Sequence, residues 1–121
     1  MIVLERKWIS ESAEEAILII RDGDQECAAF SHPCKLSVGG LIIRPLLAIN
    51  IKNFIRVDNQ TKLEILKQSD GFSHVITALV EDCDRNIVSV GGIKIEVDDY
   101  IPKDISPGDK VNFYCSRLDV L

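Results

Sequence analysis

Apolar residues alternate with polar ones over most of this chain, and the alternation breaks at short, regular intervals. Ile93, Ile95 and Val97 are interleaved with Lys94, Glu96 and Asp98, and Val111, Phe113 and Cys115 with Asn112, Tyr114 and Ser116. A side-chain period of two places each apolar set on one face, so both segments are expected to be half-buried strands. The longest such run spans 47–57. There Leu47, Ile49, Ile51, Ile55 and Val57 are expected to face a core, and Ala48, Asn50, Lys52, Phe54 and Arg56 to face outward, with Asn53 as the one exception inside.

The breaks are turn signals: Asp22-Gly23-Asp24, Gly39-Gly40, Asp70-Gly71, Gly91-Gly92 and Pro107-Gly108-Asp109. Short Ile-, Val- and Leu-rich runs between closely spaced turns are the pattern of an all-β sandwich or barrel. Three segments are ambiguous. Ser12 and Glu15 have capping-box spacing ahead of 14–21, but the Ile-rich run into Asp22-Gly23-Asp24 favours a hairpin strand. Thr61 and Glu64 repeat that spacing, leaving 61–69 as either a short helix or a strand. Phe72, Val75, Ile76, Leu79 and Val80 fit a helical stripe, yet β-branched content and flanking turns favour a strand paired with 86–90 through a turn at 82–85.

Ser-Val-Gly-Gly occurs twice, at 37–40 and at 89–92, and the apolar parity flips across each glycine pair. An extra residue at a β-bulge produces such a slip, so both copies are read as bulged bends of the kind that turn corners in small barrels. With the approach through Ile101-Pro102, Ile105 and Pro107-Gly108-Asp109 to a final strand, the pattern resembles a small OB-like or related β-barrel. The expected fold is mostly β, with Gly-Gly bulged strands and at most one or two short helices, forming a single domain over 1–121.

Composition agrees with a folded domain: 46% of the 121 residues are hydrophobic and 27% charged, far from the mix of a disordered chain. The longest uninterrupted apolar stretch, 16–20, is far short of the about 20 residues that span a bilayer. Glu5, Arg6 and Lys7 fall where a signal peptide carries its apolar segment, so no membrane contact and a cytoplasmic location are expected. The four cysteines contain no C-x-x-C pair and are expected to be free thiols.

Net charge is −5, which disfavours nucleic acid as a general partner and favours a basic one. The charge is uneven, however, since residues 31–70 carry six basic and three acidic side chains. Within that stretch Arg44, Asn50, Lys52, Phe54 and Arg56 share the outward parity. They form a candidate binding face in which cations flank an aromatic, as in single-stranded nucleic-acid recognition on OB-type barrels. A second candidate is the acidic turn at Glu81, Asp82 and Asp84, placed to meet a basic protein.

Catalytic and metal chemistry find little support. Cys27, His32 and Cys34 cluster two soft ligand types, but nothing in the spacing demands a metal centre, so none is expected. Ser31-His32 and Ser73-His74 are sequence neighbours without implied geometry. Phosphate-binding, dinucleotide-binding, nucleophile-elbow and zinc-protease motifs are all absent, and no cofactor is expected. The sequence therefore points to a non-enzymatic binding domain that recognises another protein, with single-stranded nucleic-acid binding through the 44–56 face as the alternative.

Overall fold

A computed structural model describes residues 1–121 as eleven strands without a helix. They are β1 (Ile2–Ser10), β2 (Glu15–Asp22), β3 (Gln25–Ser31), β4 (Leu46–Ile49), β5 (Lys52–Val57), β6 (Glu64–Lys67), β7 (His74–Asp82), β8 (Ile87–Val90), β9 (Ile93–Val97), β10 (Lys110–Cys115) and β11 (Arg117–Asp119). No helix is available to cross a membrane.

All eleven join one mixed sheet in the order β1-β2-β3-β11-β4-β9-β8-β7-β10-β5, with β6 attached to β7 beside this path. Only β3–β11 and β4–β9 pair in parallel. The sheet is not closed into a barrel. β3 runs alongside β6, but no backbone hydrogen bond links them, so the expected closure is replaced by a seam.

The ambiguous segments are all strands. At 14–21 the Ile-rich run wins because Ile17–Ile20 are wanted on both faces, and Leu18, Ile19 and Ile20 are buried together. Asp22 pairs with Gln25 across a two-residue turn in which Gly23 takes φ +61°. Ser12, one half of the apparent capping box, lies in the preceding turn instead, with its Oγ 3.4 Å from Ser10 Oγ, which accepts the Ala13 N–H. Residues 64–67 pair antiparallel with β7, and β7 pairs in turn with β8 through the expected turn.

One contiguous core unites these strands, with Phe113 among its largest fully buried side chains. Ile93, Ile95 and Val97 of β9, and Val111, Phe113 and Cys115 of β10, all face it as their spacing requires.

The 47–57 reading needs correcting in two ways. Asn50 takes φ +56°, which an asparagine tolerates better than a branched residue, and it splits the run into β4 and β5. The two halves run against β11 and β10 as a bent ribbon with its corner at Asn50 and Ser116, where the Ser116 N–H donates to the Ile49 carbonyl. The faces are also inverted in β4 and at Phe54 and Ile55, whereas Asn50, Lys52 and Arg56 are exposed and Ile51 packs against the core as expected. Leu46 and Ala48 are the fully buried pair of β4, while Ile55 of β5 is 55% exposed. Ala48 lies between Leu118 and Val97 on the neighbouring strands, where a small side chain fills the space that large ones leave.

Neither Gly-Gly pair is a bulge within a strand. Gly91 and Gly92 form the two-residue turn of the β8–β9 hairpin, so Val90 faces Ile93, and the parity flip is the ordinary consequence of the turn. Gly92 lies so close to the Asp22 carboxylate that a side chain there would force the Asp22 side chain to move. Gly39 and Gly40 belong to the long 32–45 loop. There the Gly39 N–H donates to the Val3 carbonyl, the Val3 N–H to the Gly40 carbonyl and the Ile42 N–H to the Met1 carbonyl.

Candidate binding surface

The bend at Asn50 parts Arg44 and Asn50 from Lys52, Phe54 and Arg56, which stay together on β5. Asn50 is spent on the corner, its N–H donating to Asp98 Oδ2 at 2.8 Å. Lys52 lies 5.8 Å from the centre of the Tyr114 ring on β10. Arg56 donates to the Asp104 carbonyl at 3.1 Å and sits 3.7 Å from Asp109. Phe54 turns inward and stacks on Phe113 at 5.4 Å between ring centres, so its face is occupied by the core. Arg44 stays before β4, away from the others, exposed and with neither a hydrogen bond nor an ion pair.

Two of the three acids at 81–84 are engaged locally. Glu81 Oε1 accepts from Ser89 Oγ at 2.6 Å and from Lys94 Nζ at 3.4 Å, and the serine bond chiefly holds its carboxyl below the usual range. Asp82 Oδ1 accepts from the Asp84 and Arg85 N–H groups and so closes the β7–β8 turn. Asp84 alone is an exposed acid without such duty.

Asp70, Ser73 and His74 bring together the three side-chain types of a hydrolytic triad, but not its geometry. Ser73 Oγ donates directly to Asp70 Oδ2 at 2.7 Å, and the same carboxylate accepts from the Phe72 and Ser73 N–H groups. Those bonds, the serine hydroxyl first, hold the Asp70 carboxyl low. The imidazole does not stand between serine and acid, so no proton relay exists.

His74 points instead into the β3–β6 seam. It is fully buried, and its Nε2 accepts the Ala28 N–H at 3.4 Å, a donor that would otherwise face a missing strand. Nε2 must therefore be unprotonated, which puts the proton on Nδ1. Nδ1 has no well-aligned partner, although the Phe72 carbonyl favours a proton there. Burial pushes the pKa down to about 4, with Lys67 on β6 acting in the same direction.

Next to it, burial raises the Cys27 and Cys115 thiols to about 12, which makes them poor nucleophiles and poor metal ligands. Cys34 is buried, with its thiol donating to the Leu36 carbonyl at 3.6 Å, whereas His32 is exposed. No three His, Cys, Asp or Glu side chains are grouped to hold a metal ion.

Of five concavities, two are the largest. A cleft of about 630 Å³ at the ribbon corner is lined by Ile9, Phe30, Ile49 and Phe72, with Glu15, Asn50, Ser116 and Arg117. Its one cation is already committed. Arg117 donates twice to the Asp119 carboxylate, at 2.6 and 2.9 Å, and lies 4.3 Å over the Phe30 ring.

The other is a groove of about 350 Å³ between the 32–45 loop and residues 120–121, where Pro33, Leu36, Leu41, Ile42, Val120 and Leu121 supply the apolar lining. Here apolar side chains stand out in solvent: Leu41 is 70% exposed and the adjacent Ile43 93%. Sequence reading missed these residues because Leu41, Ile42 and Ile43 resemble a buried strand. Only Ile42 enters the core. A usable signal was the confinement of the run between Gly40 and Pro45, which leaves too little length for a strand.

Comparison with known proteins adds no relative: no family model, no curated protein and no solved structure matches this chain.

Proposed function

We propose that this chain is a non-enzymatic binding domain that recognises another protein, and that the contact surface is the groove beside the 32–45 loop. One observation carries the reading. Leu41 and Ile43 project into solvent from a loop whose backbone is bonded to β1 on either side of Gly40, so their exposure is held in place. Burying an isoleucine or leucine side chain is worth about 1.5–3 kcal/mol, and exposed apolar groups gathered on a fixed surface are characteristic of protein contacts. The nucleic-acid reading has less to rest on, because it needs Phe54 free for stacking, whereas that ring stacks on Phe113 and Arg56 is engaged by Asp104 and Asp109.

The test is differential capture from native cell extract. Baits are the unaltered chain, a Leu41→Ser/Ile43→Ser variant and an Ile55→Ser control altered on a different exposed strand. Surface changes of this kind cost within about 0.5 kcal/mol of stability, so all three baits remain folded. A protein retained by the first and third baits and lost by the second is the expected result. Equal capture by all three overturns the assignment of the surface.

A further inference from the structure

The charges around the groove are opposite in sign to those of the whole chain. The protein carries −5 overall, yet the charged side chains lining the groove are Lys35 and Arg44, with His32 beside them and no acid among them. Arg44 is exposed and unpaired. Lys35 is paired with Glu14, but both side chains are well exposed, so the pair is weak and open to exchange for another carboxylate.

Resting on the protein-recognition reading above, we propose that the groove takes a short segment of a partner protein bearing carboxylates next to apolar side chains. The apolar groups would lie on Leu36, Leu41 and Val120, and the carboxylates would meet Arg44 and Lys35.

Size and chemistry both narrow the occupant. A volume of about 350 Å³ is at the small end of the roughly 300–1,000 Å³ found for binding pockets, enough for a few side chains of a segment. Two permanent cations with no Phe, Tyr or Trp in the lining are poorly suited to nucleic acid, which needs several phosphate contacts and a broad stacking surface. A bilayer surface needs a larger cationic patch than this one for stable attachment. The resulting specificity differs from the basic partner that the overall charge favours, because the local field at the contact, and not the sum, selects the ligand.

The experiment pans a random peptide library displayed on phage against the full chain at low salt. An oligothymidylate and phosphatidylserine vesicles serve as competing probes, and sedimentation checks for self-association. Enriched peptides should carry Asp or Glu beside Leu, Ile or Phe. A synthetic copy should bind about tenfold more weakly to a Lys35→Glu/Arg44→Glu variant, and its affinity for the unaltered chain should fall as salt rises.

Neutral or basic enriched peptides, no enrichment, an unchanged affinity for the reversed variant, binding of the oligonucleotide or vesicles alone, or self-association through this face would each overturn the proposal. The broader reading is tested separately. A captured protein that depends on Leu41 and Ile43 but ignores the charge reversal leaves protein recognition standing and removes the acidic segment.

Discussion

Acidification from pH 7 to pH 4.5 is expected to cost this protein about 2.5 kcal/mol through His74 alone. In the folded chain the imidazole titrates near 4, because it is buried and its Nε2 is occupied by the Ala28 N–H; in the unfolded chain it titrates near 6.5. The folded value is the lower one, so the unfolded state takes up the proton first as pH falls. The stabilisation is complete above pH 6.5, declines through the interval to pH 4, and changes no further below it. A separation of about 2.5 pH units at 1.36 kcal/mol each gives about 3.4 kcal/mol, of which about three quarters is lost by pH 4.5.

That is a large share of the 5–15 kcal/mol typical of a folded domain. Asp70 and Glu81, whose carboxyls are held low, begin to lose their contributions only as pH falls into the ordinary carboxylate range, at the acid end of this window. Urea unfolding at a series of pH values should be run on the unaltered chain and on His74→Gln, whose side-chain oxygen can still accept from Ala28 but does not titrate. The unaltered chain should lose stability steeply between pH 6.5 and 4.5 while the variant stays nearly flat. Parallel curves would refute the argument, and so would an Ala28 amide whose hydrogen exchange is indifferent to this interval.

Phe54→Ala should lower stability by about 2 kcal/mol in urea unfolding, because the ring stacks on Phe113, and should leave retention on immobilised oligonucleotide unchanged. Asn50→Ala should cost about 1 kcal/mol because of the positive φ, whereas Asn50→Gly should be close to neutral by the same measurement. A thiol reagent monitored by mass spectrometry at pH 8 should modify Cys83, the one partly exposed cysteine, first. It should reach Cys27 and Cys115 only on unfolding.

The strand-rich character was legible because period-two alternation is a local property, visible at 93–97 and 111–115 without knowledge of the partner strands. Orientation was less legible where neighbouring residues are both apolar. Leu46 and Leu47, or Ile49 beside Ala48, offer two equally good faces to a reader of the sequence. Packing chooses Leu46 and Ala48, the small side chain at 48 being fully buried between Val97 on β9 and Leu118 on β11. The bend at Asn50 was hidden for a related reason: asparagine permits a positive φ without requiring one.

The seam at His74 depends on strands 46 residues apart in the chain, so nothing near residue 74 announces it. The apolar groove was missed because hydrophobic residues are ordinarily credited to the core, and exposure belongs to the assembled surface.

The 32–45 loop also bears on the free edge of the sheet at β1. A sheet that ends in an unshielded strand offers a row of free amides and carbonyls to any other chain, which is the route to edge-to-edge aggregation. The three bonds that fasten the loop to residues 1–3 occupy the start of that border, and Glu5, Arg6 and Lys7 place charge on the stretch that follows. The peptide that holds Leu41 and Ile43 outward is therefore also the guard on β1. Loosening it to widen the groove would uncover a second adhesive feature beside the first, so selection for a freer loop would be opposed by the loss of folded protein to fibres or precipitate.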